Sequence, residues 1–336
     1  MSFMSLLKST VVALLLCAVP CAAQAKKAEY LMRISHTGYP GIEFFEGWKK
    51  FGDLVEEKTG GRVMVKIFPM GQLGADRVAM EAVQAGNLEI ASCGWNVLSG
   101  VVPALGALDL PFAIDIDRDV EFYRALAYPG ELHDYIVELL APARLYPLMF
   151  NACAPRSWGF KKADISTFDD LKGLKVRATP SDVDVSCCKA VGMNPTVLSM
   201  DATFQGLQQG TIEGELLSYS TFEAQSRGGL LKSYIVTNHN IPMHTGMVNL
   251  NWWNSLPQEV KEQITEAARE AQEWEWSVYK SINNRGLEYM KQHKVNITYP
   301  DEADMEKFQA SFQKVWEEYE AKLDPKMIRL IREVYK

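Results

Sequence analysis

The chain has 336 residues, 47% of them hydrophobic, and carries 42 acidic against 35 basic side chains for a formal charge of −7. An acidic chain of this kind has no electrostatic case for nucleic acid, so any anion site must rest on local positive charge. The length sits at the practical limit of a single hydrophobic core, which points to two lobes.

The amino terminus reads as a Sec leader. Lys8 precedes an apolar run over residues 11–23, and Ala23-Gln24-Ala25 is a small-x-small cleavage site. Cleavage is expected after Ala25, with the mature protein in the periplasm. The run is shorter than the ~20 residues of a spanning helix, and Cys17 and Cys21 lack the small residue that precedes a lipid-attachment cysteine. A first strand is predicted at 30–35, followed by a loop from His36 to Gly41. Phe44, Trp48, Phe51 and Val55 recur at helical spacing, and Gly60-Gly61 ends that helix. Val63, Val65 and Ile67 alternate over 62–68 in the period of a strand. Residues 77–85 then read as helix and 88–92 as strand, giving a first α/β lobe.

The segment 168–214 is the most informative. Lys172-Gly173 turns the chain into a short strand, Leu174-Lys175-Val176, that ends on Arg177. A guanidinium fixed at a strand end is a planar fork suited to a carboxylate or sulfonate. Thr179-Pro180-Ser181 breaks the strand and caps a helix to Ala190. Thr196-Val197-Leu198 is a second strand, Asp201 is expected to cap a helix through Gln209, and Thr211-Ile212 opens a third strand. This alternation implies a parallel sheet with its ligand beyond the carboxyl ends of the strands. Further on, Pro257 opens a long helix to about Lys291. Its predicted apolar stripe is Val260, Ile264, Ala267, Ala271, Trp274, Val278 and Ile282.

Beyond the leader the cysteines are Cys93, Cys153, Cys187 and Cys188. Export permits disulfides. Adjacent Cys187 and Cys188 point to different sides of a helix, so free, partly buried thiols are expected, with a Cys93–Cys153 bridge as the alternative. Their spacing is not a metal pattern. Catalytic signatures are missing: the five histidines show no paired spacing, and there is no GxSxG, Walker loop or strand-to-helix GxGxxG. A thiol pair of Cys187 or Cys188 with His239 competes poorly with plain helix packing.

LKGLKVR ending on Arg177, AVGMNP, LQQGTIEGE and TNH at Thr237–His239 occur in an order that resembles the solute-binding subunit of tripartite ATP-independent periplasmic (TRAP) transporters, of the DctP type. FPMGQLGADR, ALDLPF and NSLPQEVKEQITEAA extend the resemblance over nearly the whole mature chain. It implies an α/β, two-lobe periplasmic binding protein fold. Each lobe is then a mostly parallel sheet flanked by helices, and a long C-terminal helix bridges the lobes. By the same resemblance the leader is 1–25, lobe I is 26–154 plus 243–282, and lobe II is 155–242 plus 283–336.

The resemblance makes Arg177 the anchor for an anionic head. Arg156 is a second candidate contact, against a plain exposed loop residue. Trp95 and Trp158 flank predicted strand ends and are candidates for the pocket or for lobe cores. Asn96 could donate to a ligand oxygen. Glu215 either reaches the cleft or pairs with Arg177 in the empty state, and Tyr219 is a weaker candidate. Met200 stands where a phenylalanine is common. Gly94, Leu216 and Leu217 replace polar positions of sialic-acid-binding members, which disfavours a sugar acid and favours a compact or partly apolar anion. The function implied is capture of a small organic anion, carboxylate or sulfonate, and its delivery to TRAP membrane permease subunits driven by an ion gradient. No cofactor, metal or nucleic acid is expected, and the protein is expected to be a monomer and not an enzyme. The competing readings are an extracytoplasmic sensor that presents the anion to a receptor, and a secreted enzyme on a two-lobe scaffold.

Overall fold

The computed structural model describes residues 28–336. The leader expected over 1–25 lies outside them. Among the described residues eleven strands form two sheets. In chain order these are β1 (Tyr30–Ser35), β2 (Val63–Phe68), β3 (Ile90–Gly94), β4 (Leu145–Asn151), β5 (Arg156–Phe160) and β6 (Lys175–Ala178). They continue as β7 (Asn194–Val197), β8 (Gly214–Leu217), β9 (Ser233–Asn240), β10 (His244–Asn249) and β11 (Asn296–Thr298). The first sheet runs β2-β1-β3-β10-β4 and the second β11-β9-β5-β8-β6-β7.

Each sheet is mostly parallel and contains one reversed strand. In the first sheet β10 lies antiparallel to both β3 and β4. In the second, β5 lies antiparallel to both β8 and β9. The reversal has a simple cause. Chain leaving β4 in one sheet runs straight on into β5 of the other, and chain leaving β9 runs straight on into β10. A strand entered from the opposite lobe points the opposite way. Two short segments, 152–155 and 241–243, therefore cross side by side between the sheets.

The third crossing is the helix Gln258–Gln292, which spans 35 residues, or about 50 Å at 1.5 Å per residue. Its first half buries Val260, Ile264, Ala267 and Ala271 in a cluster with Met32, Ile34, Trp48, Phe51 and Val55. These last three sit on the helix Glu43–Lys58, whose predicted stripe is buried as expected. The rest of the long stripe needs correction. Trp274 is exposed, and the buried face passes instead through Glu275, Trp276, Tyr279, Gly286 and Met290. Beyond Ala271 the helix leaves the first lobe's wall and packs on new neighbours, so the buried face rotates. Gly286 marks the tightest approach, because a Cβ there would collide with the backbone of Tyr219 and Ser220. Helix propensity favours Ala over Gly by about 1 kcal/mol, yet Gly286→Ala is expected to destabilise by about 1–3 kcal/mol through overpacking. A denaturant melt showing a gain in stability instead would mean that these helices do not touch there.

The last helix, Pro325–Glu333, packs against the first-lobe helix Glu131–Leu140. Tyr135 donates to Asp324 at 2.8 Å, and Arg329 pairs with Glu131 at 2.9 Å. The strand starting at Thr211-Ile212 in the sequence reading begins at Gly214, and the helix Met200–Gln209 has Ser199 at its N-cap position, without a side-chain capping bond, and Asp201 inside its first turn. Ser181 does cap its helix, accepting from the Asp184 amide. Among the described residues no helix is long and apolar enough to cross a membrane.

Candidate functional site

The carboxyl ends of the parallel strands in both sheets face one cavity of about 280 Å³, the place where open α/β sheets bind ligands. Arg177 and Thr179 reach it from the end of β6, Ser199 and Met200 from beyond β7, and Leu216, Leu217 and Ser218 from β8. From the first sheet come Thr37 beyond β1, Asp76 and Arg77 beyond β2, and Asn96 beyond β3, with Glu43 and Phe44 from their helix. The crossing segments supply Cys153, Ala154, Pro242 and the adjoining Arg156 and His244.

Arg177 is 4% exposed. Its Nε donates to the Leu198 carbonyl at 3.0 Å, which fixes the guanidinium plane. Among the described residues it forms no ion pair. Burial holds its pKa below the usual arginine value, while Glu215 and Asp184 nearby pull it upward. The other buried arginines of this region are occupied. Arg227 pairs with Glu215 at 2.5 Å, both side chains 1% exposed. Arg156 donates through Nε to Asn240 Oδ1 at 2.9 Å and lies 3.8 Å from Asp109. Asn240 in turn donates to Asp109 at 3.0 Å, and Ser181 Oγ donates to the same carboxyl at 2.5 Å. Burial pushes the Asp109 carboxyl up to about 6, against the opposing pull of Arg156. Among the described residues the cavity thus holds one buried cation with no internal counter-ion.

Of the residues singled out in the sequence, Arg177, Arg156, Asn96, Met200, Glu215 and Leu217 line the cavity. Glu215 is not paired with Arg177, because Arg227 holds it. Met200 Sδ receives a hydrogen bond from Gln225 Nε2 at 3.0 Å. Three candidates do not line the cavity. Trp158 is fully buried and stacks on His239 at 5.4 Å. It shares a face of β5 with Arg156 but lies two residues, about 6.6 Å, deeper from the mouth. Trp95 turns into the core and stacks against Phe150 at 6.3 Å. Tyr219 packs on Tyr234 at 5.2 Å beside the second lobe's small cluster. At Gly94 a Cβ would collide with Asn96 Oδ1, so the Asn96 amide fills the space where a side chain at 94 would begin.

Sequence reasoning missed Glu43, Asp76, Ser218, His244 and Arg227. Glu43 reads as an ordinary acidic residue in a first helical turn, and only tertiary packing buries it. Its Oε1 accepts the Ala154 amide at 2.9 Å, which ties the helix to a crossing segment. Burial raises its pKa, an effect partly offset by the Ala154 amide.

The four thiols are free and buried, and burial pushes each well above the usual cysteine value. A thiol nucleophile needs the opposite shift. His239 is sandwiched between Trp158 and Phe312, with burial holding its pKa down at about 3 and its Nδ1 bonded to Thr237 at 2.7 Å. Among the described residues no cluster of His, Cys, Asp or Glu could hold a metal ion.

A cavity between two α/β lobes, lined by a fixed buried cation at the carboxyl ends of the strands, is the arrangement of a two-lobe solute-binding protein. The chain belongs to the bacterial extracellular solute-binding protein family 7, the DctP family, whose model matches residues 34–322. It is similar to the C4-dicarboxylate-binding protein DctB of Bacillus subtilis, 26% identical over 85% of this chain and 81% of the relative. Among solved structures it is similar to a TRAP periplasmic solute-binding protein of Chromohalobacter salexigens with bound D-glucuronate, at 26% identity and a TM-score of 0.83, over 90% of this chain and 98% of that one. A further TRAP protein, from Desulfovibrio salexigens with bound orotic acid, shares the fold at 24% identity and a TM-score of 0.85, over 91% and 98% of the two chains.

Proposed function

We propose that this protein captures a small organic anion, a carboxylate or sulfonate, between its lobes and delivers it to the membrane permease of a TRAP transporter. The observation that carries this reading is Arg177, a buried guanidinium lining the cavity with no counter-ion among the described residues. A buried charge without a partner is costly, and a bound anion removes that cost. The relatives' ligands, a C4-dicarboxylate and a uronate, both carry carboxylates. In this reading 26–154 plus 243–282 form one lobe and 155–242 plus 283–336 the other, hinged at the crossing segments, with the last helix Pro325–Glu333 reaching back onto the first lobe. The ligand stabilises the closed arrangement by its differential affinity for it. The chain acts as an exported monomer, cleaved after Ala25, without a cofactor, and releases its ligand unchanged.

Native mass spectrometry of the purified protein tests this together with a thermal-shift panel of organic acids. The expected mass is that of a single chain beginning at Lys26, with one small anion bound. An acid supplied at about 100 times its dissociation constant should stabilise the fold by ~2.7 kcal/mol. A panel in which no organic anion shifts the melt, or a bound compound that is turned over, would overturn the proposal.

A further inference from the structure

Three arginines gather in and behind the cavity wall, Arg156, Arg177 and Arg227, and three carboxyls stand among them, Asp109, Asp184 and Glu215, all of them buried. Among the described residues this group is formally neutral, although Arg177 itself has no ion pair. A bound anion therefore adds one negative charge to a desolvated region, and a nearby negative charge favours the protonated form of a carboxyl. The three carboxyls differ in how firmly their charge is held. Glu215 is paired with Arg227 at 2.5 Å. Asp184 accepts the amide and the hydroxyl of Thr179, both at 2.7 Å, in the first turn of the helix Asp182–Ala190, where the helix dipole favours an anion.

Asp109 lies behind the lining residues and has the weakest support. Its nearest cation, Arg156, is 3.8 Å away and gives its Nε and Nη2 hydrogen bonds to Asn240 instead. Asp109 Oδ1 accepts from Asn240 and Oδ2 from Ser181, while Asp184 faces it with like charge, and burial already pushes this carboxyl up to about 6. The Cys187 thiol, which also faces it, is kept protonated by burial. Two further elements pack on its segment, Pro103–Asp109. The helix Trp95–Leu98 has no ionisable side chain, and Pro325–Glu333 buries only apolar ones there, leaving Lys326, Arg329 and Arg332 exposed.

We propose that ligand capture is proton-linked: the anion enters together with a proton taken from solvent, which Asp109 holds behind the cavity wall. This rests on the anion-binding reading above and adds a coupled ion to it. The proton goes to Oδ2, 2.5 Å from Ser181 Oγ, and the hydroxyl there accepts where it had donated. A neutral Asp109 also leaves Arg156, which lines the cavity, without a competing anion. Linkage is reciprocal, so whatever the ligand does to the proton affinity of Asp109, the proton does to the affinity for the ligand. The complex holds more proton than the free protein, and affinity therefore falls as pH rises above the value at which free Asp109 ionises.

Calorimetry tests this with D-glucuronate, orotate and propane-1-sulfonate as probes, acids that stay ionised across the range used, so that only the protein titrates. Titrations at about pH 7 in buffers of different ionisation heat should show about half a proton or more taken up per ligand, and affinity should fall about threefold or more between pH ~6 and ~8. Asp109→Asn replaces the carboxyl by a neutral group of the same shape. It should take up no proton, keep one affinity across the range, and bind at the alkaline end at least as tightly as the wild type. Glu43 is the competing seat, since burial raises it too, and Glu43→Gln should retain the uptake. Burial lowers His36, His239 and His244, which disfavours them as seats. Absence of uptake by the wild type in every buffer overturns the inference whether or not the variant folds, and leaves the anion reading standing. Uptake that survives Asp109→Asn, or vanishes in Glu43→Gln, overturns it as well. Failure of all three acids to bind overturns both.

Discussion

Arg177→Ala is expected to abolish ligand capture while leaving the empty protein folded, with a melting temperature equal to or above that of the wild type. The two effects have one cause. Arg177 is desolvated and has no ion pair among the described residues, so its charge is a liability to the empty fold. When an anion binds, the same charge becomes the principal attraction. Truncating one partner of a buried charge pair costs about 2–5 kcal/mol, which is roughly 30-fold to several thousand-fold in affinity. Arg177→Lys should also bind poorly. The Leu198 carbonyl orients the wild-type plane through Nε, and an ammonium offers neither that bond nor a two-pronged fork. Calorimetry and a melt on the same samples check both halves. Unchanged affinity in the alanine variant would remove Arg177 as the anchor. Lost affinity with a collapsed melting temperature would mean that it is a structural residue.

A turn, a short strand and a helix cap made Arg177's place at the strand's carboxyl end legible, and the family resemblance gave it the role of anchor. The same local logic located β1, β2, the helix Glu43–Lys58 and the long helix Gln258–Gln292. It failed where partners come from far along the chain. Trp158 and Arg156 share a strand face, and only their depth relative to the mouth separates a core residue from a cavity residue. Glu43 is tied to Ala154, 111 residues away, and no periodicity encodes that. Arg227 sits in the short turn Arg227–Gly229, which carries no helical or strand pattern. The reversed strands β5 and β10 follow from chain crossings, which composition does not announce.

Arg227 does not line the cavity, but it holds the carboxylate beside Arg177, and its removal should be the most disruptive single change near the cavity. It pairs with Glu215 through Nε at 2.5 Å, bonds Gln225 Oε1 at 2.5 Å, and lies over the Phe204 ring at 5.3 Å. Glu215 on β8 is the direct register partner of Arg177 on β6. Adjacent strands lie about 4.8 Å apart, so Arg227 is what keeps the Glu215 carboxylate from serving as the anchor's own counter-ion. Arg227→Met removes one member of a fully buried pair, which should destabilise the fold by about 3–5 kcal/mol. Glu215, left without its partner, should turn to Arg177 and occupy the fork that the ligand needs. Affinity should therefore fall further than unfolding explains, even when measured well below the melting transition. The double variant Glu215→Gln/Arg227→Met separates the two effects. It removes the stranded charge, so stability should recover most of the loss, and it frees Arg177, so binding should return toward the wild-type value. A denaturant melt and a calorimetric titration on the wild type, Arg227→Met and the double variant decide it. If Arg227→Met binds as tightly as the wild type, or if the double variant regains stability without binding, Glu215 is not held in check by Arg227 and the isolation of the Arg177 charge has another origin.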